Sequence, residues 1–369
     1  MYYNNKHFHF KVWGSKMRLK NKQKIKLFFI TVLSFIFISN LNKKNADFKM
    51  NNILENKEFI QNIQNIPISV IAPASTLENE KIQYLQNQNI LDLKLPKNLS
   101  SQLIPFHSNT DEERFDQIKM AINDNSKIIW SLRGGYGSAR LYENLLKLKK
   151  PNQNKIFIGY SDLTFLHLFF IQNWNWKTIH GSTLSDLFNK EKDPKNFSNI
   201  VEIISGNIKE ITYTNIEPLN ELAKSSQEVF GKLVGGNLEI LSSSLGTNWQ
   251  INGKNKIIFI EDIGAKGYVV DRNLIHLYQA KIFQNAKAIL LGSFTNSDEN
   301  IEFTIKRFAN EVNIPVFKSN QFGHGNKNYP LVLNENITIS PQKKIITLNL
   351  GDDFKNILKP SNDGYMAIR

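Results

Sequence analysis

Ser161 is the side chain best placed by sequence to act as a nucleophile. It stands in Gly159-Tyr-Ser-Asp162, between the apolar run Lys155–Ile158 and the apolar stretch Leu163–Asn173. A strand that turns through a serine straight into a helix lifts the hydroxyl above its sheet, as in a nucleophile elbow. The next backbone N–H, that of Asp162, then faces the place where an oxyanion would develop. The match to Gly-x-Ser-x-Gly is partial, because Leu163 occupies the last glycine position. The simpler reading is that Ser161 caps the helix.

A serine nucleophile needs a base, and the base needs an orienting acid. Of seven histidines, His7 and His9 lie near the amino terminus, His167 and His276 fall inside helical patterns, and His107 follows Pro105 in a loop. His180 and His324 remain, each beside glycine. His324 lies in Phe322-Gly-His-Gly325, where an imidazole could be exposed; His180 ends a strand and could be structural or bind substrate. Glu261 follows the apolar run Lys256–Ile260, and Asp262 competes with it for the role of acid. A third feature is Arg133-Gly-Gly-Tyr-Gly137, between a strand and a helix. Its glycines let the backbone turn and present N–H groups to negative charge. It lacks the Lys-Ser/Thr of a phosphate loop, so a carboxylate or oxyanion site, with Arg133 as the fork, competes with a plain turn.

The elements that must hold these residues alternate. Strands are expected at 68–75, 92–95, 127–132, 155–158 and 177–180, with helices at 111–123, 138–149 and 163–173. After a polar stretch at 191–228, a helix opens at Gly235-Gly-Asn-Leu-Glu-Ile-Leu241. Strands follow at 256–260, 288–291 and 315–317, helices at 271–283 and 302–312, and a hairpin at 337–340 and 344–350. Apolar strands alternating with helices predict an α/β fold: an amino-terminal doubly wound, mostly parallel sheet domain plus a smaller carboxyl-terminal α/β domain. Ligands of such sheets collect at the carboxyl ends of strands, where the residues above are found. The expected organisation is residues 66–190 for the domain with the nucleophile, 191–228 for the inter-domain crossing, and 229–369 for the domain with acid and base.

The 369 residues carry a net charge of +13 but no cysteine, which excludes disulfides, cysteine-ligated metals and a thiol nucleophile. Residues 1–46 hold ten Lys/Arg and no acidic residue, leaving 36 basic against 33 acidic residues elsewhere, a net of +3. That leaves no field for nucleic acid, and none is expected as partner. No His-x-x-x-His pair or Asp-rich loop points to a metal, and no cofactor is expected. The basic leader precedes Leu27–Ser39, 13 residues without charge. As a helix these span about 20 Å, short of the roughly 30 Å hydrocarbon core. Residues 1–45 are therefore expected to be an export signal or membrane anchor, and 46–65 a polar linker. A core helix is the alternative for the apolar part.

Eight segments together resemble the L,D-carboxypeptidase family of serine peptidases, which includes muramoyltetrapeptide carboxypeptidases and microcin C self-immunity peptidases. In order they are Ile71-Ala-Pro-Ala-Ser75, Arg133-Gly-Gly-Tyr-Gly-Ser-Ala-Arg140, Gly159-Tyr-Ser-Asp-Leu-Thr164, His180-Gly181, Gly231-x-Leu-x-Gly-Gly-Asn-Leu238, Phe259-Ile-Glu-Asp262, Tyr268-x-x-Asp-Arg272 and Gly323-His324 with Pro330 beyond. The resemblance implies a catalytic Ser161, Glu261 and His324. It implies an oxyanion hole from the Asp162 N–H and one in the glycine turn, for which Gly135 is chosen. It also implies a homodimer and a murein tetrapeptide that loses its terminal D-alanine. Arg133, Tyr136 and His180 are the expected substrate-binding residues. Ser182 departs from the family's usual proline after His-Gly, and the leader departs from cytoplasmic members. The alternatives are a microcin-type peptidyl-nucleotide hydrolase and a non-catalytic envelope peptide-binding protein. The leader predicts that the full chain fractionates with the cell envelope, periplasmic or inner-membrane anchored; recovery of intact chain in the soluble cytoplasm would overturn the export reading.

Overall fold

The computed structural model describes residues 66–87, 92–101 and 104–358, all within one compact unit. The expected leader and linker lie outside the described residues. In chain order the strands are β1 (Ile68–Ile71), β2 (Leu93–Lys94), β3 (Ile128–Ser131), β4 (Ile156–Gly159), β5 (Thr178–His180), β6 (Glu210–Tyr213), β7 (Glu217–Pro218), β8 (Val229–Asn237), β9 (Lys256–Ile263), β10 (Ala288–Thr295), β11 (Val316–Lys318), β12 (Leu331–Leu333), β13 (Asn336–Ser340) and β14 (Ile345–Asn349). One sheet runs β12-β5-β4-β3-β1-β2, parallel throughout except at β12. The other runs β6-β14-β13-β8-β9-β10-β11-β7, with a parallel centre from β8 to β11 flanked by antiparallel strands. The fold is mixed α/β, as the alternating pattern predicts.

Every residue of β1, β3 and β4 is buried. Strands covered on both faces cannot alternate polar and apolar positions, which is why they read as unbroken apolar runs. The helix Thr164–Trp174 after β4 is likewise buried along nearly its whole length, with only Gln172 and Asn173 exposed. Phe165 meets Trp249 edge-on, and Thr164 Oγ1 accepts from the Asn237 N–H at 2.9 Å, so the helix that carries the nucleophile turn packs against the end of β8.

Four sequence expectations are corrected. Residues 191–228 are more than a crossing, since they supply the helix Lys195–Ile204 and two edge strands, β6 and β7. Phe197, Ile200, Val201, Ile203 and Ile204 of that helix enter the core; their helical spacing is present in the sequence, hidden among polar neighbours. The helix expected over 138–149 is a 3₁₀ turn, Ser138–Leu141, followed by Tyr142–Leu145. The helix placed at Gly235 starts only at Leu238, and both glycines belong to β8. Finally, β12 returns from the carboxyl-terminal part of the chain to pair with β5 in the first sheet. A buried Lys177–Glu335 ion pair fastens this return.

Gly235 and Gly236 sit at φ 130° and 148°. A Cβ on Gly235 would stand 1.9 Å from the Phe259 carbonyl oxygen, and one on Gly236 would stand 2.4 Å from Thr164 Oγ1. At Gly235 the neighbouring strand β9 fills the space, and at Gly236 the helix Thr164–Trp174 does. Gly235→Ala therefore forces backbone apart and should cost at least about 2 kcal/mol, read as a fall in the thermal midpoint; an unchanged midpoint would contradict the packing.

Candidate active site

β4 ends at Gly159, Tyr160 is extended, and Ser161 turns at φ 69° into the 3₁₀ turn Ser161–Leu163. A non-glycine residue held there stores roughly 1–3 kcal/mol of strain, and such strain concentrates at functional positions. It is what a cap alone does not require, and Ser161 makes no side-chain cap bond to the helix that follows. The departure from Gly-x-Ser-x-Gly also has a reason. A Cβ on Gly159 would lie 2.5 Å from Leu163 Cδ1, so the first glycine makes room for the leucine that replaces the last.

The glycine turn runs beside the hydroxyl. A Cβ on Gly134 would stand 3.0 Å from Ser161 Cβ and 3.3 Å from Oγ. Gly135, the expected oxyanion donor, is the next residue; it turns at φ 122° with its Cα against Ser75. Its amide is thus the first N–H beyond the contact with Ser161. Asp162 contributes more than the backbone N–H assigned to it. Its buried carboxylate accepts from Gly137 N at 3.2 Å and Ser138 N at 2.9 Å, while Ser138 Oγ donates to the Asp162 carbonyl at 2.8 Å. Burial raises the Asp162 pKa, and these hydrogen bonds oppose that rise. The turn is held from behind by Arg114, fully buried, which donates to the carbonyls of Pro73 and Gly137. Sequence reasoning missed Arg114, whose signal was an arginine directly after three acidic residues at the start of the helix Asp111–Asn123.

Glu261 lies inside β9, paired in register with Asn237, rather than just beyond the strand. It has no solvent exposure. His324 Nδ1 donates to Glu261 Oε2 at 2.6 Å. Gly323 makes the approach possible: at φ 109°, a Cβ on it would be 2.8 Å from that same oxygen. Burial alone would lower the His324 pKa, but the Glu261 charge and hydrogen bond outweigh it, and the imidazole titrates above its ordinary value. Asp262, the competing acid, faces Asn237 and its own strand end instead, and burial pushes it up to about 6.

The two halves meet at Tyr160. Its ring lies 4.8 Å from the His324 ring, which sets the base beside the residue preceding Ser161. Among the described residues no hydrogen bond joins Ser161 to His324; such bonds are commonly loose before substrate binds. Arg133 and Tyr136 are exposed at the glycine turn, Arg133 donating to the Thr76 carbonyl at 3.4 Å and Tyr136 stacking on His107. His180 has no solvent exposure and lies between Tyr160, His167 and Phe259, an arrangement that fits the structural one of its two expected roles, and burial drives its pKa well down.

Comparison with known proteins gives this arrangement a family. The LD-carboxypeptidase N-terminal domain family matches residues 68–181, and the LD-carboxypeptidase C-terminal domain family matches residues 230–339. A protein of Rickettsia conorii named as a carboxypeptidase is 46% identical over 76% of this chain and 90% of its own length. The murein tetrapeptide carboxypeptidase of Pseudomonas aeruginosa is 25% identical over 71% of this chain and 89% of its own. Among solved structures, the muramoyltetrapeptide carboxypeptidase of Oxalobacter formigenes superposes with a TM-score of 0.64 at 25% identity, covering 76% of this chain and 97% of that one. The fold is shared as well with MccF in complex with glutamyl sulfamoyl guanosine, at a TM-score of 0.66 and 21% identity over 77% and 96% of the chains. The chain belongs to the LD-carboxypeptidase family of S66 peptidases.

Proposed function

We propose that the protein is a serine L,D-carboxypeptidase that removes the terminal D-alanine from murein tetrapeptides during peptidoglycan turnover or recycling. The observation that carries the reading is the Glu261–His324 hydrogen bond, with the imidazole tilted against the Tyr160 ring at 4.8 Å, next to a serine at positive φ. A hydrolase needs that set of groups together; a peptide-binding module does not.

In the proposed reaction, Ser161 Oγ attacks the carbonyl preceding the last residue while His324 takes the hydroxyl proton. His324 then gives that proton to the leaving amine, D-alanine departs, and an ester remains on Ser161. Water, deprotonated by the same imidazole, releases the shortened peptide. Glu261 fixes the ring and stabilises its cation. The Asp162 and Gly135 amides are the proposed oxyanion donors, and Arg133 is the proposed partner of the substrate's terminal carboxylate.

Purified protein incubated with murein tetrapeptide should release D-alanine, and Ser161→Ala should reduce the rate by at least about 10⁴-fold. Full activity in that variant, or hydrolysis of a peptidyl-adenylate with no D-alanine release, would overturn the assignment. The pH dependence has a definite sign. The base works only when neutral, so kcat/KM rises with pH through a His324 pKa lying above the ordinary 6.5. Glu261→Gln removes the charge that raises this pKa. It should move the acid limb to lower pH and lower kcat on the order of 10²- to 10⁴-fold; a limb that stays in place would contradict the pairing.

A further inference from the structure

We propose that Lys192 is a positioning residue for the candidate base, its buried ammonium holding the backbone of the His324 loop while setting a positive charge against the imidazole. The proposal rests on His324 being the base of the reaction above. Lys192 is 7% exposed. Its Nζ donates to the His324 carbonyl at 3.2 Å and to the Gly325 carbonyl at 2.7 Å, and lies over the Tyr160 ring at 5.7 Å. One ammonium thus reaches the backbone of the base and the aromatic ring that packs against that base at a tilt. Tyr160 is fixed in turn: its hydroxyl donates to Asp186 Oδ1 at 3.1 Å, and Asp186 Oδ2 accepts from Thr183 N at 3.1 Å.

The residues after Lys192 continue the cradle. Asp193 N and Asn196 Nδ2 donate to the Asn326 carbonyl at 3.0 and 2.9 Å, Asn328 N donates to Asn196 Oδ1 at 2.8 Å, and Tyr329 OH donates to Asp193 Oδ2 at 2.8 Å. These neutral donors hold residues 326 to 329, whereas Lys192 takes the carbonyls of His324 and Gly325 themselves. Besides that hold, Lys192 brings a positive charge. His324 faces Glu261 and Asp262 from β9, Lys192 from the segment before the helix Lys195–Ile204, and the phenol of Tyr160; buried His180 meets that phenol edge-on at 6.0 Å. The carboxylates favour the imidazolium, and Lys192 opposes them. A base paired too strongly with an acid stays protonated and idle, so an opposing cation keeps it available near neutral pH.

The test separates charge from scaffolding. The His324 ring is titrated by NMR in the full chain for wild type, Lys192→Met and Lys192→Arg, which needs no substrate and is independent of what the protein hydrolyses. Lys192→Met should move the His324 titration to higher pH, shift the acid limb of kcat/KM the same way, and lower kcat about ten- to a hundredfold through misplacement of the loop. Lys192→Arg should restore the titration. If Lys192→Met does not fold, Lys192→Gln, which keeps a donor without charge, should show the same upward shift. A folded charge-free variant whose His324 titrates as in wild type overturns the proposal and leaves the hydrolase reading intact; absence of hydrolysis in wild type with the titration shifted as described overturns that reading and leaves the charge relation standing.

Discussion

The site is organised around one constraint, a carboxylate with no access to water. Glu261 has no exposed surface, and an ionised carboxylate that buried is costly unless it is paired and hydrogen-bonded. Its partner is the imidazole at 2.6 Å. Much else follows from bringing that ring close enough. Gly323 must lack a side chain, because a Cβ there would meet Glu261 Oε2, and Gly292 must as well, because its Cβ would lie 2.9 Å from Glu261 Cβ. The His324 loop is therefore threaded through a space defined by a charge, and its other contacts keep it there.

The nucleophile turn answers a different demand. Ser161 is strained by its backbone, and a strained residue persists only when its surroundings over-determine it. Here Asp162 does so by reaching across to the amides of Gly137 and Ser138, while Arg114 grips the carbonyl of Gly137 from the other side. The elbow and the glycine turn are consequently one unit. Neither would keep its shape if the other were replaced by an ordinary strand–helix connection.

Much of this was legible in the sequence. The parallel strands announced themselves as apolar runs, and the small and charged residues at their carboxyl ends marked where chemistry could occur. Glu261 was recognisable as one of two adjacent acids after such a run, although β9 extends through it. What stayed hidden depended on contacts distant along the chain. The role of the Asp162 carboxylate needs the glycine turn 24 to 25 residues away, and that of Lys192 needs a loop 132 to 133 residues on. His180 at a strand end was open between a structural and a substrate-binding role, and only the fold shows that the second sheet brings Phe259 over it. Residues 191–228 looked like a connector because polar composition conceals a short helix whose apolar face is only half its surface.

The placement of Lys192 bears on how the two sheets are coupled. The Ser161 turn leaves the first sheet and Glu261 lies in the second, so any sliding between sheets would separate the imidazole from the hydroxyl. Tyr160 belongs to the first, sits under the imidazole tied to the second, and is anchored to Asp186. Lys192 holds the loop carbonyls from the same segment that carries Asp186. The imidazole is thus tied to the Ser161 side of the site through the segment between Asp186 and Asn196, and to the second sheet through Glu261. Two supports of opposite charge constrain both where the imidazole stands and how readily it carries a proton. A structural role and an electrostatic role are in this way assigned to the same few atoms, which is economical only in a site where position and protonation must be set together.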